Sequence, residues 1–120
     1  MAAPYVPLRI FSSYTMLEGA IEPAAIAKHA RRLDFPAAAI TDRNGLYAAM
    51  PFTDACAKEG VQPIVGALLA VARPGPSEPP ILDWIALYAQ SEAGYHNLCT
   101  LVSAAHLGRP VHEEPHVRLE

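Results

Sequence analysis

The segment HEEPH, residues 112–116, has the H-E-x-x-H spacing by which a helix of some metalloproteases binds zinc. That chemistry requires both histidines one helical turn apart, so that the two imidazoles reach the same metal ion. Pro115 stands between them, where it disfavours helical geometry at Glu114 and removes a backbone N–H donor. We therefore interpret the segment as part of a solvated tail and not as a protease site.

A second candidate is the tetrapeptide Asp42-Arg43-Asn44-Gly45, which follows a short apolar run over residues 37–41. The run predicts a buried strand, and catalytic groups gather at the carboxyl ends of parallel strands. Asp42 is thus a candidate metal ligand or general base. The structural alternative is that Asp42 caps the turn while Asn44-Gly45 tolerates positive φ angles. The spacing alone favours this structural alternative.

The basic residues do not predict nucleic-acid binding by this chain alone. The chain has nine Lys and Arg residues and twelve Asp and Glu residues, which gives a formal net charge of −3. The basic cluster KHARR, residues 28–32, suits a phosphate contact, but it also suits the solvated face and last turn of an amphipathic helix. We favour the helix interpretation.

Length and composition indicate one domain with a hydrophobic core, since the chain has 120 residues and a hydrophobic content of 52%. Cys56 and Cys99 lie far apart in predicted helices, which favours reduced thiols and a cytoplasmic location. The sequence shows neither a signal-peptide pattern nor an apolar run that would span a bilayer. We therefore expect no membrane partner.

The apolar runs and turn residues predict the order β-α-β-α-β-loop-β-α. Predicted strands cover residues 5–10, 37–41, 64–72 and 81–89, and predicted helices cover residues 24–33, 51–59 and 92–106. This alternation indicates an α/β fold in which helices flank a mostly parallel sheet. We assign residues 1–106 to a domain and residues 107–120 to a peripheral tail. Leu119-Glu120 is either native or a cloning remnant.

Four blocks follow one another along the chain: YVPLRIFSSYTMLEGAIEP, PAAAITDRNGLYAAMPF, GVQPIVGALLAV and ALYAQSEAGYHNLCTLVSAAH. Together they resemble the start of the PHP (polymerase and histidinol phosphatase) domain of bacterial DNA polymerase III alpha subunits, chiefly the replicative, alphaproteobacterial kind. Error-prone alpha-like polymerases share the blocks and are a close second. The resemblance implies that residues 1–106 form a partial PHP domain, the N-terminal part of a distorted (β/α)7 barrel.

The resemblance also implies a metal site in family members that retain it. Those members use a histidine pair at the end of the first strand, an Asp-His pair after the second and an acid on the third. A further position before the pair is often histidine, and here it is Pro7. The corresponding ligand positions of this chain hold Arg9, Phe11, Asp42, Arg43 and Leu68.

These replacements remove the metal chemistry. Phe11 and Leu68 have no lone pair to donate, and Arg9 and Arg43 repel a divalent ion. We therefore expect no catalytic residue, metal or cofactor in this chain. The loop RIFSSYTMLEGA, residues 9–20, resembles a metal-site loop whose ligands have been replaced. We expect a structural ion pair instead, in which Arg9, or alternatively Arg43, occupies the place of the metal beside Asp42.

The function implied by the resemblance is that of a scaffold inside a much longer DNA-directed DNA polymerase, a nucleotidyltransferase of DNA replication. The expected partners are the rest of that chain and a separate proofreading exonuclease subunit, while DNA and magnesium bind outside this stretch. Two alternatives remain: a metal-dependent phosphoesterase or exonuclease, and a small standalone α/β binding protein. Because an incomplete barrel leaves an open sheet edge, we expect self-association, or coverage of that edge by the tail after His106.

Overall fold

The computed structural model describes residues 4–119 and builds them into an α/β arrangement with a mostly parallel sheet, as the sequence predicts. The elements in chain order are α1 (Pro23–Arg32), β1 (Ala37–Arg43), α2 (Ala49–Glu59), β2 (Gln62–Ala72), β3 (Leu82–Tyr88), α3 (Glu92–Leu107) and β4 (Val117–Arg118). The predicted helices and the last three predicted strands therefore exist, with ends that differ by one or two residues. None of the described helices is both long and apolar enough to cross a membrane.

Strand β2 organises the sheet, because the other three strands all pair with it. It runs parallel to β1, from the pair Ala37 and Gln62 to the pair Arg43 and Leu68. It runs antiparallel to β3, which returns after the loop over residues 73–81. Beyond the end of β1, the two residues of β4 continue on the same side of β2, parallel to Val71 and Ala72.

The prediction of a regular strand over residues 5–10 is wrong. The segment follows β1 in extended form, and the N–H groups of Ala39 and Thr41 donate to the carbonyls of Pro7 and Ile10. Pro4 and Pro7 have no backbone N–H, so they cannot donate to a continuous ladder. The segment therefore lies along the outer edge of β1 without completing a strand.

The core lies between β1 and the pair α1 and α2. Ile26 on α1 and Phe52 and Cys56 on α2 are buried against Ile40. Leu33, the last residue of the first predicted helix, follows the end of α1, and its side chain is exposed. Helix α2 ends as predicted at Gly60, which adopts the left-handed conformation with φ of 73°.

Both cysteines are free thiols on separate helices, as the sequence predicts: Cys56 is on α2 and Cys99 on α3. Burial raises the pKa of the Cys56 thiol to about 11, so this group stays protonated and packs as a small apolar side chain.

Tyr88 of β3 links the sheet to the N-terminal segment. Its ring packs over Gly66 of β2, and its hydroxyl donates to the carbonyl of Leu8 in the extended N-terminal segment. Thr41 of β1 lies beside the same glycine and is fully buried. Close packing at Gly66 therefore joins β1, β2, β3 and the N-terminal segment.

The tail is not peripheral, which corrects the prediction for residues 107–120. His116 is only 6% exposed, its N–H donates to the carbonyl of Ala105, and β4 follows it on the sheet. The physical reason is the edge of β2, which would be open where β1 ends. The tail fills that gap, in line with the second of the two outcomes expected for the open edge. Leu119 is exposed, and Glu120 lies outside the described residues, so its origin stays open.

Substitution of Gly66 by alanine should destabilise the fold by about 2 kcal/mol, since overpacking at a closed position forces the neighbours apart. The new Cβ would lie 2.7 Å from the carbonyl oxygen of Leu87 and 2.9 Å from Cδ1 of Tyr88. The measurement is the free energy of unfolding in urea. Gly94→Ala on α3 is the control, because its Cβ would meet Ser91 Oγ at an ordinary 3.5 Å. Equal free energies of unfolding for Gly66→Ala and Gly94→Ala would show that Tyr88 packs loosely over Gly66.

Candidate functional site

A cleft of about 730 Å³ opens where β1 ends. One side is the loop after the N-terminal segment, which contributes Ser13 and Glu18. Arg43 lies at the end of β1, and His106 of α3 and Glu114 of the tail also line the cleft. The cleft therefore gathers charged and polar groups from four separate segments at one end of the sheet.

Asp42, the residue that sequence analysis placed at a metal-ligand position, is 2% exposed and fully engaged by the loop. Its Oδ1 accepts the backbone N–H of Ser12 at 2.8 Å and the hydroxyl of Thr15 at 2.8 Å. The hydroxyl of Ser12 lies 3.0 Å from Oδ1 and 2.9 Å from Oδ2. These donors stabilise the buried carboxylate, and the carboxylate in turn fixes the loop.

The expected ion pair between Asp42 and Arg9 or Arg43 is not formed in this structure. Arg9 is exposed, and among residues 4–119 Asp42 takes hydroxyl and amide donors in place of a guanidinium. Three donors satisfy the carboxylate: the amide and hydroxyl of Ser12 and the hydroxyl of Thr15. This arrangement avoids the cost of desolvating a second charge. The two arginines are therefore free for other contacts.

Arg43 makes two such contacts in the cleft. Its guanidinium carbon lies 4.3 Å from the ring centroid of Trp84 on β3, in a cation–π contact. Its Nε lies 3.1 Å from Oε2 of Glu18, yet the N–H is not aligned for a hydrogen bond, so this is a charge pair only. Both side chains of the pair are partly exposed, so the pair adds little stability.

Asn44 joins β2, α3 and the tail. It adopts the left-handed conformation with φ of 52°, in line with the predicted tolerance of positive φ. Its Oδ1 accepts the N–H of Ala70 at 3.2 Å, and its Nδ2 donates to the carbonyl of Pro115 at 2.9 Å. Its own carbonyl accepts a hydrogen bond of 2.7 Å from Nε2 of His106, which must therefore carry the proton.

Sequence analysis missed this role because the partners of Asn44 lie 26 to 71 residues away in the chain. The only local signal was the Asn-Gly dipeptide after a strand, which indicates a turn but not its partners. His116 was likewise assigned to a solvated tail, whereas its Nδ1 hydrogen-bonds to the carbonyl of Glu114 at 2.8 Å. The HEEPH segment is not helical, as predicted from Pro115.

The side chains present do not fit a divalent metal. Leu68 is buried beside Arg43 in the sheet register, Phe11 is half-buried, and neither carries a donor atom. The carboxylate of Asp42 is already occupied by hydroxyl and amide donors. Within the described part of the chain, no group of three or more His, Cys, Asp and Glu side chains is placed to hold a metal ion.

Asp42→Ala should lower the free energy of unfolding by about 3 kcal/mol, because it leaves a buried amide and two hydroxyls without their acceptor. Urea denaturation measures the change. Asp54→Ala on α2 is the matched control, since Asp54 is exposed and its loss should leave stability unchanged. A loss no larger at Asp42 than at Asp54 would show that the loop does not depend on this carboxylate.

Comparison with known proteins gives relatives for nearly the whole chain. The chain is 38% identical over 116 residues to DNA polymerase III subunit alpha of Caulobacter vibrioides, covering 92% of this chain and 10% of the relative. It is 37% identical over 109 residues to an error-prone DNA polymerase of Mycolicibacterium paratuberculosis, covering 88% of this chain and 10% of the relative. The chain thus spans about a tenth of the length of these curated relatives.

Two solved structures share the fold at 17% identity. One, described as a candidate metal-dependent phosphoesterase from Bifidobacterium adolescentis, matches with a TM-score of 0.61 over 90% of this chain and 36% of its own. The other, an amidohydrolase from Chromobacterium violaceum with bound sulfate and no metal, matches with a TM-score of 0.60 over 82% of this chain and 34% of its own. The family model of the PHP domain matches residues 7–120, so the chain belongs to the PHP domain family.

Proposed function

We propose that this chain is part of the PHP domain of a replicative DNA polymerase III alpha subunit and serves there as a non-catalytic scaffold. The similarity to polymerases over most of this chain, but only 10% of each relative, supports a much longer parent. The parent would carry out DNA-directed DNA synthesis in the cytoplasm with magnesium, and it would contact DNA through other parts. Error-prone polymerases, at 36% to 39% identity, are the alternative parents.

The observation that carries the non-catalytic role is the occupied carboxylate of Asp42. A metal would have to displace the hydrogen bonds of Ser12 and Thr15, which hold the loop in place. It would also approach the cationic Arg43, which Trp84 and Glu18 keep at the same end of the sheet. Both effects raise the free energy of a metal-bound state, and among residues 4–119 no group of three or more His, Cys, Asp and Glu side chains is placed to offset them.

We also propose that this scaffold docks the proofreading exonuclease subunit. Apolar side chains on the loop that Asp42 holds support this docking role. Met16 is 82% exposed, and Leu17 is fully exposed in the left-handed conformation with φ of 73°. This backbone conformation is costly for a leucine, and exposed apolar groups beside a cleft are typical of interaction surfaces. We assign the loop tip to contact with the proofreading exonuclease subunit.

The test of the non-catalytic role is metal content together with hydrolysis. The purified chain is loaded with excess Zn²⁺ or Mn²⁺, passed through a desalting column and analysed by mass spectrometry of the elements. We expect less than stoichiometric metal and no hydrolysis of a model phosphodiester, because the ligand set is incomplete. One tightly held metal per chain, with hydrolysis that depends on it, would establish the phosphoesterase alternative instead.

The docking role is tested with the proofreading exonuclease subunit of the same organism. Leu17→Glu should weaken its binding by about tenfold or more, as expected for a central apolar contact. Leu33→Glu is the control, because Leu33 is also exposed but follows α1 and does not belong to the loop that Asp42 holds. Affinities come from surface plasmon resonance. Absence of binding to the unmodified chain, or equal affinities of both variants, would rule out this contact.

A further inference from the structure

An apolar cluster lies at the amino end of β1, at the opposite end of this strand from the cleft. The rings of Tyr5 and Phe35 are in contact, with centroids 5.2 Å apart and an interplanar angle of 57°. Tyr5 is nevertheless 63% exposed, and Leu33 of the same turn is 57% exposed. Large apolar side chains that stay exposed as a group are typical of interaction surfaces.

The end of α1 holds this cluster in a defined turn. The N–H of Phe35 donates to the carbonyl of Ala30 at 2.9 Å, and the N–H of Asp34 donates to the carbonyl of Arg31 at 3.1 Å. Asp34 is left-handed with φ of 59°, so the two bonds form a Schellman motif in which aspartate stands where glycine is usual. The turn therefore presents Leu33 to solvent from a hydrogen-bonded backbone, which lowers the entropy lost when a partner binds.

Cations precede the turn on α1. The helix, PAAIAKHARR, carries three of the nine Lys and Arg residues of the chain and no acidic residue. Lys28, Arg31 and Arg32 are exposed, and in the part of the chain that the structure describes none of them forms an ion pair. Nδ1 of His29 accepts a hydrogen bond of 2.9 Å from Nη2 of Arg32, which orients that guanidinium. The end of α1 is thus a positive region on a chain of net charge −3.

The helix dipole explains only part of this arrangement. Cations in the last turn of a helix stabilise it, which accounts for Arg31 and Arg32. The dipole does not account for Tyr5 and Leu33, since exposed apolar side chains gain no free energy from it. Cations beside exposed apolar groups complement a segment that combines carboxylates with large apolar side chains.

We propose that the α1-end surface, formed by Tyr5, Arg31, Arg32, Leu33 and Phe35, docks an acidic peptide segment of a partner protein. Charge complementarity selects this occupant: its carboxylates pair with the two guanidinium groups, and a large apolar side chain packs against Leu33 and the two rings. A nucleic-acid strand fits less well, because it requires an extended series of cations that this chain does not supply. The surface is distinct from the loop tip proposed for the exonuclease, which lies at the other end of β1.

Binding is measured by fluorescence anisotropy with a labelled synthetic peptide of Asp, Glu, Leu and Phe residues, titrated with the full chain. We expect a dissociation constant of about 100 μM, because the surface is small. A second peptide with serine in place of Leu and Phe should bind about tenfold more weakly, since it lacks the apolar contact. Single-stranded oligothymidylate, the nucleic-acid probe, should bind more weakly than the first peptide.

The charged part of the surface is tested by the double variant Arg31→Gln with Arg32→Gln. It should weaken binding of the first peptide at least about tenfold, because both guanidinium groups are lost. The matched control is Arg73→Gln with Arg118→Gln, which removes the same charge near the carboxyl end of β2. Its affinity should equal that of the unmodified chain.

Two single variants test the turn. Leu33→Ser should weaken binding about fivefold through the loss of apolar contact, whereas Leu17→Ser at the loop tip should leave it unchanged. Asp34→Asn should strengthen binding about twofold, because it removes a like charge from the surface. Asparagine also tolerates the left-handed conformation of this residue. Circular dichroism checks that each variant is folded.

The α1-end surface would be overturned by equal losses in the two arginine double variants, which would reduce the effect to general charge attraction. Absence of peptide binding to the unmodified chain, or tighter binding of oligothymidylate than of the peptide, would overturn it as well. These results do not bear on the metal content or on the effect of Leu17→Glu on exonuclease binding. Failure of this proposal is therefore distinct from failure of the proposed function.

Discussion

The buried carboxylate of Asp42 is the group on which the site depends. A charge that is 2% exposed must be paired, ligated to a metal or surrounded by donors, and here donors from Ser12 and Thr15 surround it. The loop that supplies them thereby gains its conformation. One residue at the end of β1 thus fixes a loop that lies 27 to 30 positions earlier in the chain.

Because hydroxyl and amide donors satisfy the carboxylate of Asp42, Arg43 makes other contacts. Arg43 turns to Trp84 and Glu18, and its neighbour Asn44 connects the sheet to α3 and the tail. The chain keeps the architecture of the PHP domain family, and the strand ends of this chain carry hydrogen bonds and a charge pair. Such a site can hold a surface in place.

The sequence predicted the elements that rest on local patterns. Apolar runs located β1, β2 and β3, and α3 begins where it was predicted, after Ser91, whose hydroxyl accepts the N–H of Gly94. The sequence did not predict the parts of the structure that depend on contacts between distant segments. The proline-bearing N-terminal segment follows β1 without forming a strand, and the polar tail closes an edge that no local pattern reveals. At the site, the sequence shows which residue types stand at the ligand positions. It could not predict that Ser12 and Thr15, and not an arginine, donate hydrogen bonds to Asp42.

The most direct measurement is a crystal structure of the chain soaked with Mn²⁺ or Zn²⁺, with data collected at the absorption edge of the metal. The hydroxyl network predicts no anomalous peak at Asp42 and hydrogen bonds from Ser12 and Thr15 to its carboxylate. A strong anomalous peak within coordination distance of that carboxylate, with Ser12 and Thr15 turned away, would contradict it.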